Sequence, residues 1–459
     1  MLTPTPRETR IASLACLAGL VALTGCDGGP AGPGSGPASI AVVAGADQRA
    51  VAGLRLLDPV VIRVLNQAGG PVAGQHVTFT PGPGSGGPNQ GSVTTGQDGE
   101  VATSWTLGAS PGTQTLTVAT GDLTTEVRAT AIDIDAELEM LFQPPRATEI
   151  LAVKTDWAAR SPAAQDVAVE FEETISLGGG SAGSLRIVSH TLDGGTHYGA
   201  VLVPEAVGDR QVPVLVYLHG GDGGVGLSEL QLAGANIGAI RDSFVYVIPS
   251  FRGESLSYGG QVWTSTAQQS PWDRDVDDSI ALLDAAIQLA PQASPTDINL
   301  LGFSRGAGVA LLWGAREDRV ARIAAFFGPT NFFDPWVKEI VRQTALRNPP
   351  PVVGIPALDT LIIQPYIRGD ISTAETRIEL VRRSGFLFAQ DLPQVQLHHG
   401  TADFVVPVSQ AYALIDAMDE LGRGVPDFEA FIYQDGGHDP FSLVDALPRT
   451  VDFLSRAFQ

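Results

Sequence analysis

The sequence predicts an α/β fold, a mostly parallel sheet with helices on both faces, preceded by a small all-β sandwich. Three observations carry this. From Leu185 onward, near-continuous apolar runs alternate with helical patterns, which is how strands buried on both faces read. From Ile40 to Ile132, short alternating runs are broken by turn residues, as in a sandwich. At 459 residues the chain exceeds one ordinary domain, so two or three units are expected.

Composition narrows the classes. Hydrophobic residues make up 44% and charged residues 17% of the chain, enough apolar surface for folded cores. A formal net charge of -22 repels phosphate backbones, so no nucleic-acid partner is expected. Cys16 and Cys26 are the two cysteines, both near the start. The rest of the chain therefore has no disulfide framework and no thiolate metal site. The histidines show no HExxH or similar spacing, so no metal is expected.

In chain order, Arg7 and Arg10 precede an apolar stretch from Ile11 to Leu23. That is too short for a membrane-spanning helix, which needs about 20 residues. A basic start and a short apolar core read as a signal peptide over residues 1–25. The ending "LTGC", Leu23 to Cys26, resembles the lipobox of bacterial lipoproteins. The resemblance implies that Cys26 becomes the lipid-modified first residue of an exported, membrane-anchored protein, periplasmic or at the cell surface. Acyl chains contribute ~0.8 kcal/mol per buried methylene, so several of them anchor firmly. Residues 26–39, rich in Gly, Pro and Ser, read as a flexible tether.

Residues 40–132 carry the sandwich, in runs such as "VVIRVLN", "HVTFTPG", "GEVATSWTLG" and "GTQTLTVATG". The phrases "GGPVAGQHVTF" and "WTLG…GTQTLTV" resemble bacterial Ig-like domains of the invasin type, which implies a spacer or adhesion role. No titratable groups gather here, and His76 and Trp105 read as packing residues. Residues 133–183 read as a connector onto the next domain. Within it "EILAVKTDWAAR" has the pattern of a short helix and "DVAVEFEETISL" the alternation of a strand.

Residues 184–459 hold the chemistry. "SLRIVSHTLDG" and "HYGAVLVP" predict a hairpin. "VPVLVYLHGG", "FVYVIPSF", "INLLGFS", "RIAAFFGP", "VQLHHG" and "FEAFIYQDGG" predict buried strands, with helices over "DVDDSIALLDAAIQLA" and "GVALLWGARE". The pattern G-x-S-x-G occurs three times, around Ser110, Ser181 and Ser304, in a chain with 53 glycines. Mechanism selects among them. A nucleophile elbow needs a buried strand before the serine and a helix directly after it, so that a tight turn lifts the hydroxyl off the sheet. Ser110 is followed by proline and a sandwich strand, and Ser181 sits in a glycine tract. Only Ser304 has "INLLGF" before it and "RGAGVALLWGA" after it.

A serine hydroxyl needs a base, and the base needs an orienting carboxylate. In a fold of this kind the chain order is Ser, acid, His. Asp403 lies in the loop after the "VQLHHG" strand, and His438 in "QDGGHDP" lies beyond it, in a glycine-rich loop where an imidazole can reach back over the sheet. His399 is the rival base and Asp435 and Asp439 are the rival acids. His398 and His399 read as strand-end packing. For the oxyanion, one donor is the backbone N–H of Arg305. The second comes from "LHGGDGG", with Gly221 first and Gly220 or Asp222 as alternatives. His219 reads as structural.

Residues from about Leu185 to Phe458 resemble the α/β-hydrolase catalytic domain of the prolyl oligopeptidase (S9) family, with dienelactone-hydrolase-like proteins close by. The match is carried by "YLHGG", "PSFRGESLSYGG", "GFSRGAGVALL", "RRSGFLFAQDLPQVQLHHGTADFVVPVSQA" and "YQDGGHDPF". The resemblance implies a triad of Ser304, Asp403 and His438 and no cofactor. It implies a peptide or ester substrate and places Arg252 in a structural or substrate-adjacent position. Two departures bear on the substrate. An Ig-like module stands where such peptidases carry a β-propeller, and His219-Gly220-Gly221 stands where many carry an oxyanion tyrosine. A carboxylesterase is therefore an equal expectation, and an adhesion protein with an inert hydrolase fold is the alternative from another class. The insertion at about 329–390 predicts a helical cap in which "NFFDPWVKEIV" and "RNPPPVVGIP" line an apolar entrance.

Overall fold

The computed structural model describes residues 34–227, 238 and 240–458. The signal peptide of residues 1–25, Cys26 and the first part of the tether lie outside the described residues.

Residues 37–132 form two main sheets around one core, with a short two-stranded sheet of Gly87–Pro88 and Trp105–Thr106 beside them. One has three strands, Pro37–Ala44, Val60–Asn66 and Glu100–Thr103. The other has five, running from Gln48–Val51 through Leu123–Ile132, Gly112–Thr120 and His76–Pro81 to Ser92–Thr94. Alternate residues such as Val60, Ile62 and Val64 point into a shared core around Trp105, the period-two consequence of a pleated strand. Trp105 is wholly buried, and its indole N–H donates to the Ser85 carbonyl at 2.7 Å. His76 is exposed and bonds Ser92.

Two helices follow, α1 (Ile134–Leu141) and α2 (Ala147–Ala159). Asp133 caps α1 by accepting from the Asp135 and Ala136 N–H groups, which satisfies two otherwise orphaned donors. Leu138, Leu141, Val153 and Trp157 bury their side chains in the large core of the C-terminal unit.

The C-terminal unit is built on nine strands: β1 (Gln165–Gly178), β2 (Ser181–Leu192), β3 (Gly195–Pro204), β4 (Val212–Leu218), β5 (Val245–Pro249), β6 (Ala293–Phe303), β7 (Val320–Phe326), β8 (Gln394–Gly400) and β9 (Phe428–Tyr433). Their order in the sheet is β1-β2-β3-β5-β4-β6-β7-β8-β9. The first three run antiparallel, and β5 through β9 are parallel. One core cluster covers each face, as a parallel sheet requires. The sheet therefore begins at residue 165, inside the segment read as a connector. That strand forms the edge, and its residues are mostly exposed or half-buried, so its weak apolar signal follows from its position.

The helices that matter for the site are α3 (Asp273–Leu289) and α4 (Arg305–Gly314). The insertion between β7 and β8 carries α5 (Pro335–Ala345), α6 (Thr373–Val381) and short helical turns between them. It sits against the N-terminal module. Arg49 donates to the Tyr366 carbonyl at 2.7 Å and pairs with Glu137 at 2.6 Å, and the Tyr366 hydroxyl donates to the same Glu137 at 2.5 Å. Arg347 donates to the Arg55 carbonyl at 2.6 Å.

On β2 and β3, His190 and His197 face each other across the ladder with ring centroids 5.5 Å apart. His190 is buried, and neither ring nitrogen has a partner among the described residues. Burial, helped by the neighbouring imidazole, pushes it down from 6.5 to about 4. Between these two values the unfolded chain takes up a proton that the fold refuses, so stability falls as pH drops through that window. His190→Phe keeps the stacked ring and removes the titration. It is expected to raise stability at pH 5 by about 2 kcal/mol relative to its effect at pH 8. Urea denaturation at the two pH values measures the difference.

Candidate active site

The parallel strands point their carboxyl ends to one edge, and the loops leaving β4, β5, β6, β8 and β9 meet there. Ser304 follows β6 directly and precedes α4, with φ 52° and ψ -120°. That backbone conformation costs a non-glycine residue about 1–3 kcal/mol and persists only where the surroundings impose it. Two glycines impose it here. A Cβ on Gly302 would lie 2.4 Å from the Gly306 carbonyl oxygen, and one on Gly306 would lie 2.0 Å from that of Leu218. Strand, turn and helix therefore close to a distance that only hydrogen side chains permit.

Asp403 leaves β8 and is buried. Its Oδ1 accepts the Val405 and Val406 N–H groups, each at 2.9 Å, and its Oδ2 lies 2.7 Å from His438 Nδ1. Burial alone would raise its pKa. The imidazoles of His399 and His438 and the Val406 N–H outweigh burial and hold the carboxyl well below the usual range. His438, in the loop after β9, lies with its ring 4.4 Å from that of Phe327. Its Nε2 is 2.9 Å from Ser304 Oγ. The structure thus brings Ser304, His438 and Asp403 into one hydrogen-bonded chain.

The rivals lie elsewhere. His399 is buried, with Nε2 2.9 Å from the Val406 carbonyl and 3.5 Å from Asp403 Oδ2, so it braces the acid from the far side. His398 packs between Phe326 and Phe431 and bonds Tyr433 and Gln396. The Asp439 carboxylate caps the turn at Phe441, and the Asp435 carboxylate accepts from Gln434. Ser181 donates to Asp242 at 2.6 Å, and Ser110 is exposed. Arg252 is buried against Asp278 at 2.5 Å.

The loop after β4 runs against Ser304. A Cβ on Gly220 would come 3.1 Å from Ser304 Cβ, and Gly221 follows at φ 77°. His219 stacks on Phe251 at 4.4 Å, and its Nδ1 lies 2.8 Å from the Gly220 carbonyl. Arg305 occupies the first position of α4, where the backbone N–H has no intrahelical acceptor and the helix dipole favours negative charge.

Sequence reasoning used only the backbone of Arg305; its side chain is the larger finding. The guanidinium is buried and holds Asp275 through two bonds of 2.8 Å, Glu254 through a shorter one and the Gly221 carbonyl at 3.2 Å. Glu254 in turn accepts the Gly224 N–H at 3.2 Å, and Asp275 accepts the Trp272 N–H at 2.7 Å. One positive charge thus serves two carboxylates. Burial first, and then Asp275 and Asp222 against the pull of Arg305, push Glu254 up to about 7.

A cavity opens at Ser304 beneath the insertion, walled by Trp336, Val337 and Ile340 of the "NFFDPWVKEIV" stretch and Val352 and Ile355 of "RNPPPVVGIP".

No family model and no curated protein matches the chain. Among solved structures, acetyl xylan esterase 1 from a Thermoanaerobacterium species is similar over 72% of this chain and 99% of its own, at 15% identity and a TM-score of 0.47. An acylaminoacyl peptidase from Pyrococcus horikoshii is similar over 62% of this chain and 49% of its own, at 14% identity and a TM-score of 0.43. An alpha/beta hydrolase from a Penicillium species is similar over 60% of this chain and 98% of its own, at 16% identity and a TM-score of 0.42.

Arg305→Lys keeps the backbone N–H and a positive charge but reaches only one carboxylate. It is expected to cost about 3–5 kcal/mol of stability, the range for breaking a buried pair, and to lower turnover at least tenfold, ~1.4 kcal/mol of barrier. Urea denaturation and steady-state kinetics check both. A variant with wild-type stability and turnover would detach the elbow from this network.

Proposed function

We propose that this chain is a serine hydrolase that cleaves an ester or peptide carbonyl through an acyl-enzyme. The observation that carries the reading is the unbroken chain from Ser304 Oγ to His438 Nε2, 2.9 Å, and from His438 Nδ1 to Asp403 Oδ2, 2.7 Å, at a strained strand-to-helix turn.

The mechanism follows from the geometry. Ser304 Oγ attacks the carbonyl carbon while His438 Nε2 takes its proton. Asp403 holds the imidazole in the tautomer with Nδ1 protonated and stabilises the imidazolium. Negative charge develops on the former carbonyl oxygen, next to the first turn of α4. The Arg305 N–H and a backbone donor of the loop after β4, Gly221 first with Gly220 or Asp222 as alternatives, hold it there, each such donor being worth about 2.7–4 kcal/mol. The intermediate collapses, the alcohol or amine leaves with the proton from His438, and Ser304 is left acylated. Water then repeats the attack, assisted by His438, and releases the carboxylic acid.

Export and lipid anchoring at Cys26, with the sandwich as a spacer or adhesion unit, complete the proposal. Both rest on the sequence of residues 1–132.

A fluorophosphonate probe tests the hydrolase reading. The wild-type chain is expected to label, and Ser304→Ala to lose labelling. Asp403→Asn is expected to lower kcat by about 10⁴, the cost of the wrong imidazole tautomer. An unlabelled wild-type protein would favour an inert fold serving adhesion.

A further inference from the structure

The cavity beside Ser304 is built almost wholly of hydrocarbon. Its walls come from the helical segments of the insertion and the loop between them and include Trp336, Val337, Ile340, Val352, Ile363 and Leu380. Beside Ser304 and the indoles of Trp272 and Trp336, four side chains with polar groups line it, and each of the four is already engaged. Arg305 is held by Asp275 and Glu254. Arg383 is held by Glu379 at 2.6 Å and by the Pro271 carbonyl at 3.1 Å. The Tyr366 hydroxyl donates to Glu137 and the Thr376 hydroxyl to the Ser372 carbonyl at 2.9 Å. Among the described lining residues, the Trp272 Nε1–H is buried without an acceptor.

This inventory decides what the cavity admits. A carboxylate or ammonium carried into it finds no free counter-charge, and burying an unpaired charge costs several kcal/mol. A peptide strand finds only indole donors for its carbonyls and loses the water that solvated its other polar groups. A hydrocarbon chain loses nothing polar and removes apolar surface from water. Position decides which half of the substrate enters. Ser304 and Arg305 line the cavity, whereas His438 does not. His438 hands its proton to the leaving group, so the leaving group lies on the His438 side and the acyl group on the cavity side. The mouth is apolar too. Val405 and Val406 line it, and Phe404 before them is 96% exposed, immediately after the triad acid.

Resting on the hydrolase reading above, we propose that the substrate is an ester of an uncharged hydrocarbon acid, with the acyl chain seated under the insertion and a small or polar alcohol leaving toward solvent. Hydrolysis is balanced by one water: the C–O bond to the alcohol breaks, the hydroxyl of water joins the acyl carbon, and its proton leaves with the alcohol.

The test is a p-nitrophenyl ester series from acetate to dodecanoate on the full chain. kcat/KM is expected to rise about fourfold per added methylene, the value of one buried CH₂, until the cavity is filled, reaching at least a hundredfold by octanoate. Val337→Trp and Ile340→Trp are each expected to lower the octanoate-to-acetate ratio at least tenfold. Acetate esters of lengthening alcohols should give a flat series. A chain labelled by fluorophosphonate that turns over acetate as well as octanoate, prefers a charged acyl group, or cleaves a blocked peptide anilide as fast as the best ester would overturn the inference while leaving the hydrolase standing. A rise along the alcohol series instead of the acyl series would overturn it likewise. A chain that neither labels nor cleaves any ester would remove the hydrolase reading and this inference with it.

Discussion

One guanidinium organises the edge of the sheet where Ser304 sits. Arg305 lies one residue after it, inside the protein, with a carboxylate of α3 on one side, a carboxylate of the loop after β5 on the other and the carbonyl of Gly221 within reach. Three segments that share no sheet pairing at those residues are thereby fixed to the turn that carries Ser304. The arrangement is costly by itself, since buried charges give up their hydration. It is held because each partner is also tied elsewhere: Asp275 to the Trp272 N–H at the start of α3, and Glu254 to the Gly224 N–H. The strained φ of Ser304 has its counterweight in this web and in the two glycines that let β6, α4 and β4 close up.

Arg305 belongs to a wider pattern. Asp273, Asp275, Asp277 and Asp278 open α3 and are all buried. They meet Arg160, Arg305, Arg316 and Arg252. The start of a helix already favours acidic side chains through its exposed N–H groups. The arginines arrive from the end of α2 (Arg160), from α4 and the turn after it (Arg305 and Arg316) and from the loop after β5 (Arg252), and offset the carboxylates. Asp273 illustrates the balance. Burial works to raise its pKa, yet Arg383, Arg160 and Arg382 bring it down to about 2.

The sequence was informative where backbone geometry leaves a local trace. A buried strand, a serine between glycines and a small-residue helix are contiguous, so Ser304 stood apart from Ser110 and Ser181 before any coordinates. The ordering of acid and base along the chain selected Asp403 and His438, and the three side chains now lie in one hydrogen-bonded line. The charged network left no such trace. Nothing in "WDRDVDD" or "PSFRGES" taken alone announces these ion pairs, because pairing between distant segments is invisible in either one. The edge strand at residues 165–178 was equally faint, since a strand that faces water on its margins loses the continuous apolar run by which the inner strands are found.

The contact of Arg49 with Tyr366 and Glu137 changes how the N-terminal module should be regarded. Tyr366 lies on the wall of the cavity, and the carbonyl that Arg49 grips belongs to that same residue. The module is therefore masonry behind the cavity as well as a link to whatever lies upstream. A recombination event that grafted the C-terminal unit onto a different carrier would have to bring α1 and α2 along and supply a new cation at that seam, or accept a cavity with a loosened back wall.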